Sequence, residues 1–510
     1  MTPAPPAAPD ASHVKLSFWE KAGYSLSDAS ANFVFQLLII FQAGFYTDVM
    51  GISAAALGTM LLLVRFSDAI TDPIMGILAD RTNTRWGKFR PWLLWSAIPF
   101  ALLFWVAFTV PEGLSDRGRL LYAVGTYTLL MVAYTVNNVP YSALTGVMTA
   151  DSSERTSISS YRFFAAMAAA FFVQGFTLPL VQKLGQGDDA LGWSLTVAIY
   201  ACIAVVFFVI TFFSVKERVP PPPEQRADLR QDLRDVRRNR PWLAMFGMTL
   251  FVFITLSLRG SSNYYYFTYF LSPEALTEFV RAAGLFAEAG ASGLGFRILD
   301  TFGLIVTPGD SPTAVGFSLF NMTGTLVSIV GVLLAKPLAD RFGKKWVFII
   351  GLGGATVVQA SLAALGPADV NALFVLTILG SVFYGPTIPL LWAMIADTAD
   401  YSEWKTRRRA TGFVYAGIIF ALKAGLGLGG AIAGWILAGY GYTVATARTP
   451  EVLEGIRLSA TLYSAIPFAL GTLCMLAYPI SKAMEQRIAA DLVAQRVSAA
   501  AGLTSDSPTL

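Results

Sequence analysis

Residues 61–74 read LLLVRFSDAITDPI, and the two carboxylates in that run, Asp68 and Asp72, decide how the whole chain is read. The run lies inside an apolar stretch from Ala54 to Ala79, long enough to cross a hydrocarbon core of roughly 30 Å. A carboxylate at the bilayer centre costs roughly 2.5 to 3.5 kcal/mol on insertion scales, so two in one span demand a function. Four-residue spacing stacks both side chains on one stripe of an α-helix, where anions about 6 Å apart repel unless a cation or a proton sits between them. A cation site is the direct implication. Arg65, three residues before Asp68, offers the plainer alternative of a buried ion pair, but one guanidinium does not neutralise two carboxylates. Pro73 adds an acceptor, because it has no N–H for the carbonyl of Ala69 and leaves that oxygen free in the same turn.

The rest of the chain agrees with a membrane setting. It has 510 residues, 55% of them hydrophobic and only 14% charged, with mean hydropathy +0.57. That is too apolar for a soluble domain. The net charge of +4 does not indicate nucleic acid, since Lys and Arg fall in short loops between apolar runs and form no basic domain. Two cysteines, Cys202 and Cys474, both in apolar runs, make no metal motif or disulfide framework. The single histidine, His13, lies in a Pro/Ala-rich start that reads as a disordered tail, which removes histidine chemistry and histidine proton relays. No signal peptide is read before the first apolar run.

Segments long enough to span can be read near Gly23–Thr47, Ala54–Ala79, Pro91–Val110, Leu120–Thr149, Ile158–Val181, Trp193–Val215, Trp242–Leu271, Ala314–Leu338, Trp346–Leu365, Asn371–Ala396, Thr411–Ala438 and Leu458–Ile480. That makes twelve. Basic residues collect in alternate loops: Arg81, Arg85, Lys88 and Arg90, then Lys216 to Arg240, then Arg341, Lys344 and Lys345, then Lys405 to Arg409. Both termini are therefore expected in the cytoplasm.

Two motif pairs repeat six spans apart. Asp80-Arg81 with Gly87-Lys88 matches Asp340-Arg341 with Gly343-Lys344, and Ala150-Asp151 matches Ala396-Asp397. A duplicated six-helix unit leaves that record. The expected organisation is a disordered tail over 1–20, a first bundle over 21–215 and a linker over 216–241. A second bundle follows over 242–482, with an outer loop at 272–312, and a tail closes the chain over 483–510. Within the outer loop a short helix is expected first and plain loop after it.

The run from Asp68 through Pro73 and Gly76 to Arg81, continuing in Arg85-Trp86-Gly87-Lys88-Phe89-Arg90-Pro91, resembles the glycoside-pentoside-hexuronide:cation symporters. These are the melibiose-permease branch of the major facilitator superfamily. Tyr46 to Val49, Arg162 to Phe164, Tyr265 to Tyr269 and Ala396 to Tyr401 resemble the same family, over about Lys15 to Ile480. The resemblance implies an all-α integral membrane fold of twelve helices in two six-helix bundles, working by alternating access as a monomer in a prokaryotic inner membrane. It implies a small-molecule solute, a carbohydrate, with no cofactor beyond a co-transported Na+ or H+. The coupling cation would lie between Asp68 and Asp72, with Thr135 contributing a hydroxyl; these three would be the ligands if the ion is Na+, which wants several oxygens. A raised carboxyl pKa would carry a proton instead.

The same resemblance puts the solute at Asn32, Asn138, Arg162 and Lys423. Here the chain departs from the melibiose pattern, with amides at two carboxylate positions and Ser142 in place of a tryptophan. Amides still read hydroxyls. Losing two anions beside two retained cations favours an anionic solute such as a uronide. Arg162 has a second reading, as half of a salt bridge between bundles. Arg259 and Asn321 are further polar groups within spans; Tyr264 to Tyr266 read as interfacial anchors, and the glycines from Gly425 to Gly430 as close helix packing. Two other functions remain open: a lysolipid symporter, and an intramembrane enzyme, which would need a base from carboxylates or Lys423.

Overall fold

The computed structural model describes residues 15–149, 151–219, 237–287, 293–406 and 411–505, and over these it is helical, without a β-ladder longer than an isolated bridge. The start of the N-terminal tail, most of the linker and the end of the basic run near Lys405 lie outside the described residues.

The first bundle comprises α1 (Phe18–Ile40), α2 (Ala54–Arg81), α3 (Arg90–Ala107), α4 (Asp116–Met148), α5 (Ser152–Gly185) and α6 (Asp189–Ser214). The second comprises α7 (Arg240–Tyr265), α8 (Thr313–Phe342), α9 (Lys344–Ser361), α10 (Val370–Thr406, broken at Gly385), α11 (Thr411–Gly439) and α12 (Pro450–Leu476). Eleven of these are long and apolar enough to cross a membrane by themselves. The first, α1, reaches that standard with its continuation Gln42–Val49, bent from it by 60°, which brings the total to twelve.

Local signals set several of the starts. Ser53, Ser115 and Asp188 each accept a backbone N–H from the first turn of α2, α4 and α6. Asn239 does the same for α7, where Pro241 occupies the first turn. The turn before α3 is closed from a distance: the Glu217 carboxylate accepts N–H bonds from Lys88, Phe89 and Arg90 at 2.9, 2.8 and 2.9 Å. Gly87 adopts φ +110° there, and a Cβ on it would lie 2.4 Å from the Glu217 carboxyl carbon. Its repeat partner Gly343 also sits in the left-handed region, at φ +82°.

The helix pairings repeat between bundles. In the first, α1 packs on α5 and α6, and α3 on α4 and α6; in the second, α7 packs on α11 and α12, and α9 on α10 and α12. The two most extensive crossings between the bundles are α2 with α11 and α5 with α8, and exchanging the bundles turns one into the other; α1 also meets α7. The exterior is apolar: Leu63, Ile98, Leu121, Phe213, Val357 and Val375 are all exposed. Lipid, which needs no polar partner, is the solvent that tolerates such a surface.

One expectation of the fold changes. The segment 272–312 contains the expected helix (Pro273–Ala282) but also a second, Leu294–Thr301, where plain loop was read. It ties the second bundle to α5 of the first, through Phe302 against Phe176 at 4.8 Å and Lys183 paired with Asp300 at 3.0 Å. The C-terminal tail carries a helix, α13 (Lys482–Ser505), joined to the bundle by Lys344, which bridges Asp397 and Glu485 at 2.8 Å each.

Candidate functional site

Asp68 and Asp72 do share one face of α2, and that face turns inward. Asp68 is 1% exposed. Its Oδ2 lies 3.5 Å from the Arg65 guanidinium and 3.9 Å from the Lys423 ammonium of α11. Asp72 forms a short ion pair with the same ammonium, and its Oδ1 accepts a hydrogen bond from Thr135 of α4 at 2.9 Å. The plain Arg65–Asp68 pair therefore exists, but it engages one oxygen only, at long range. Two carboxylates face two cations, and the second cation comes from the other bundle.

That charge balance is not full hydrogen-bond satisfaction. Asp68 Oδ1 and the Thr71 hydroxyl are both buried without a hydrogen-bond partner among the described residues. A buried unpaired acceptor costs about 1–3 kcal/mol, more for a charged one. Oxygen acceptors left unmatched beside a second carboxylate and Thr135 have the chemistry that suits a proton or a hard cation. Among the described residues no cluster of three or more His, Cys, Asp or Glu side chains exists, so a bound Na+ would have to draw on hydroxyl and backbone oxygens as well. Thr71 is the member the sequence reading missed; its signal was its position, one residue before Asp72 and three after Asp68.

Close approach of α2 and α11 makes the ion pair possible. A Cβ on Gly427 would lie 2.7 Å from Arg65 Cγ, and one on Gly434 would lie 2.6 Å from the Ala54 carbonyl. On the neighbouring face, Gly425 and Gly429 admit α7 in the same way. The glycines serve helix packing.

The four residues expected to hold the solute separate. Asn32 lines a cavity of about 400 Å³ between the bundles, formed by α1 and α5 on one side and α7 to α10 and α12 on the other. Lys423 is not among its lining residues, to which α11 contributes none, and its ammonium is paired with the α2 carboxylates. Arg162 is not among them either. It pairs with Asp28 of α1 at 3.3 Å and lies 4.9 Å over the Tyr141 ring, all within one bundle, so it is not the bridge between bundles that was its second reading. Asn138 accepts from Ser142 at 3.3 Å and lies away from the cavity.

The cavity's polar lining was visible in the sequence as polar pairs one turn apart inside spans: Asn32 with Gln36, Arg259 with Asn263, Asn321 with Thr325. Gln174 of α5 donates to Gln36 at 2.9 Å and accepts from Thr325 of α8 at 2.8 Å, so the amide chain crosses the bundle boundary.

A further cross-bundle cluster closes the end opposite the basic loops. Asp48 accepts hydrogen bonds from Tyr442 at 2.6 Å, Tyr269 at 2.8 Å and Thr47 at 2.6 Å, and Thr47 also meets the Tyr265 hydroxyl at 2.8 Å. Tyr265 is fully buried, and Tyr264 lies against Gly44, where a Cβ would come within 2.2 Å of its ring. Tyr264 and Tyr265 pack within the contact between the bundles, so the interfacial-anchor reading does not hold for them.

Comparison with known proteins agrees with this architecture. The family model described as MFS/sugar transport protein matches residues 22–294 and 311–482. The chain is 35% identical over 460 residues to the inner membrane symporter YicJ of Escherichia coli (strain K12), covering 90% of this chain and 91% of that one. It is 32% identical over 495 residues to the isoprimeverose transporter of Lactiplantibacillus pentosus, covering 96% and 95%. With the glucuronide carrier protein homolog of Escherichia coli (strain K12) it shares 30% over 468 residues, covering 92% and 93%. Among solved structures, the nucleoside transporter NupG superposes with TM-score 0.55 at 12% identity over 91% of this chain and 100% of its own. A structure described as bearing on substrate recognition in proton dependent oligopeptide transporters reaches 0.61 at 13% over 92% and 99%. At such identities the likeness is one of fold.

Proposed function

The chain belongs to the MFS/sugar transport family and is a multi-pass membrane transporter, not an enzyme; from that premise we propose that it carries a sugar, glycoside or uronide in symport with Na+ or H+ by alternating access. The observation that carries the proposal is the Asp68/Asp72 pair, buried at Asp68 and half-buried at Asp72, clamped across the bundle boundary by Lys423 yet retaining a carboxylate oxygen on Asp68 without a partner among the described residues. The relatives named as an isoprimeverose transporter and a glucuronide carrier protein homolog support the solute class. The basic loops lie in the cytoplasm with both termini, in a bacterial inner membrane, and the protein works as a monomer.

In this scheme Lys423 is the resident counter-charge of the ion-free state. A proton or Na+ that loads the acids weakens the Lys423–Asp72 pair, one of the contacts holding α2 against α11. Ion loading and bundle movement are then the same event, and by linkage solute and ion favour one another's binding. One monovalent cation moving down about 100 mV supplies roughly 2.3 kcal/mol, enough for some fifty-fold accumulation of a neutral solute. Asn32, Gln36 and Gln174 hold the solute from the first bundle while Asn263, Asn321 and Tyr384 hold it from the second.

The test is uptake into proteoliposomes across a panel of glycosides, pentosides and uronides, with Na+ and pH gradients applied separately. Asp72→Asn is expected to abolish uphill accumulation and to leave exchange or downhill flux. Undiminished gradient-driven accumulation in that variant would remove the cation assignment.

A further inference from the structure

Arg259 of α7 is the one charged side chain among the described residues lining the 400 Å³ cavity. It lies deep in a span, forms no hydrogen bond and no ion pair with any described residue, and the titratable group beside it is the Tyr384 phenol. Three other cations within the helices are paired with acids: Arg65 with Asp68, Lys423 with Asp72 and Arg162 with Asp28. A guanidinium stays charged under all accessible conditions, and a buried charge without a counter-charge costs several kcal/mol. A transporter that keeps one at its solute cavity, while pairing Arg65, Arg162 and Lys423 with acids, has a use for it.

We propose that Arg259 is the group that reads a carboxylate on the transported saccharide, so that the solute is a uronic acid or a uronide. This rests on the transport reading above and deepens it. The guanidinium offers a planar fork that matches a carboxylate with two parallel N–H bonds. Around it, Asn263 one turn further on α7, Asn321 of α8 and Gln174 of α5 present amides to ring hydroxyls, and each can donate and accept. The apolar remainder of the lining, with Phe253, Phe320 and Phe468, suits the C–H faces of a sugar ring. The charge reader is thus on the second bundle, whereas the coupling acids are on the first. With one cation per solute, an anionic cargo makes the cycle electroneutral.

The experiment titrates purified full-length protein calorimetrically with paired probes: glucose and glucuronate, galactose and galacturonate, the methyl ester of glucuronate, and glucose 6-phosphate. Wild type is expected to bind at least one carboxylate member more tightly than both its neutral sugar and its ester. Arg259→Gln is expected to lose about tenfold to a hundredfold of that affinity, with little change for neutral sugars. Arg259→Lys, which keeps the charge, should retain part of the preference, and thermal melting of both variants reports whether they fold. Equal carboxylate preference in wild type, Arg259→Gln and Arg259→Lys overturns the inference. So does a wild type that favours neutral sugars or the phosphate ester over every carboxylate. If neutral sugars alone are accumulated on a cation gradient, this inference falls while symport stands; if no saccharide is moved by any gradient, the transport reading itself falls.

Discussion

Removing a single hydroxyl from the closed end tests whether the Asp48 cluster holds the bundles in the conformation seen here. Tyr442→Phe deletes the donor of a 2.6 Å bond to a half-buried carboxylate while its ring keeps the contacts to Tyr265 at 5.1 Å and Tyr269 at 6.0 Å. A hydrogen bond to a charged group is worth about 1.5–3 kcal/mol, and about 1.4 kcal/mol is a factor of ten. If the bond exists in the closed state only, the ratio of open to closed molecules rises by roughly ten- to hundredfold. The readout is a cysteine at Ala43, a buried position in the segment that packs on α7, introduced after Cys202 and Cys474 are replaced by serine. Its labelling by a membrane-impermeant maleimide from the side opposite the basic loops should accelerate by a comparable factor until opening is no longer limiting. Tyr269→Phe should act in the same direction, and the double variant should fall short of the sum because both hydroxyls serve Asp48. Labelling rates unchanged in all three variants would refute the seal.

Gly434→Ala is expected to favour the open end as well, without touching a hydrogen bond, since its Cβ would lie 2.6 Å from the Ala54 carbonyl and 2.8 Å from the Gly58 nitrogen; the same maleimide assay checks it. Glu217→Ala removes the acceptor of three backbone N–H groups at the start of α3 and should lower unfolding stability by on the order of 2 kcal/mol, read as a fall in melting temperature of the purified protein.

How much of this was legible beforehand follows from what each feature depends on. The bilayer imposes a minimum run of apolar residues and forbids unpaired backbone, so the spans, their number and the repeat motifs could be read without any contact. The acids of α2 could be read too, because a charge inside such a run violates the rule that generated it. Arg259 and Asn321 broke the same rule but gave no role, since a polar residue in a span announces a function without naming its partner. Pairing is a relation between helices. Lys423 lies 351 residues from Asp72 and reaches it only because glycines on α11 let α2 come close. Arg162 finds its acid on α1, and Arg259 finds none among the described residues; no spacing along the chain encodes either fact. The closed end was hidden for the same reason, with tyrosines from two separated segments meeting one aspartate at the end of α1's bent continuation. The sequence by itself determined a twelve-helix membrane protein with misplaced charge in its second span, because burial in lipid is a one-dimensional constraint. Only the tertiary structure decided which charges cancel and which one is left facing the cavity, because electrostatic neutrality is settled by distance in space.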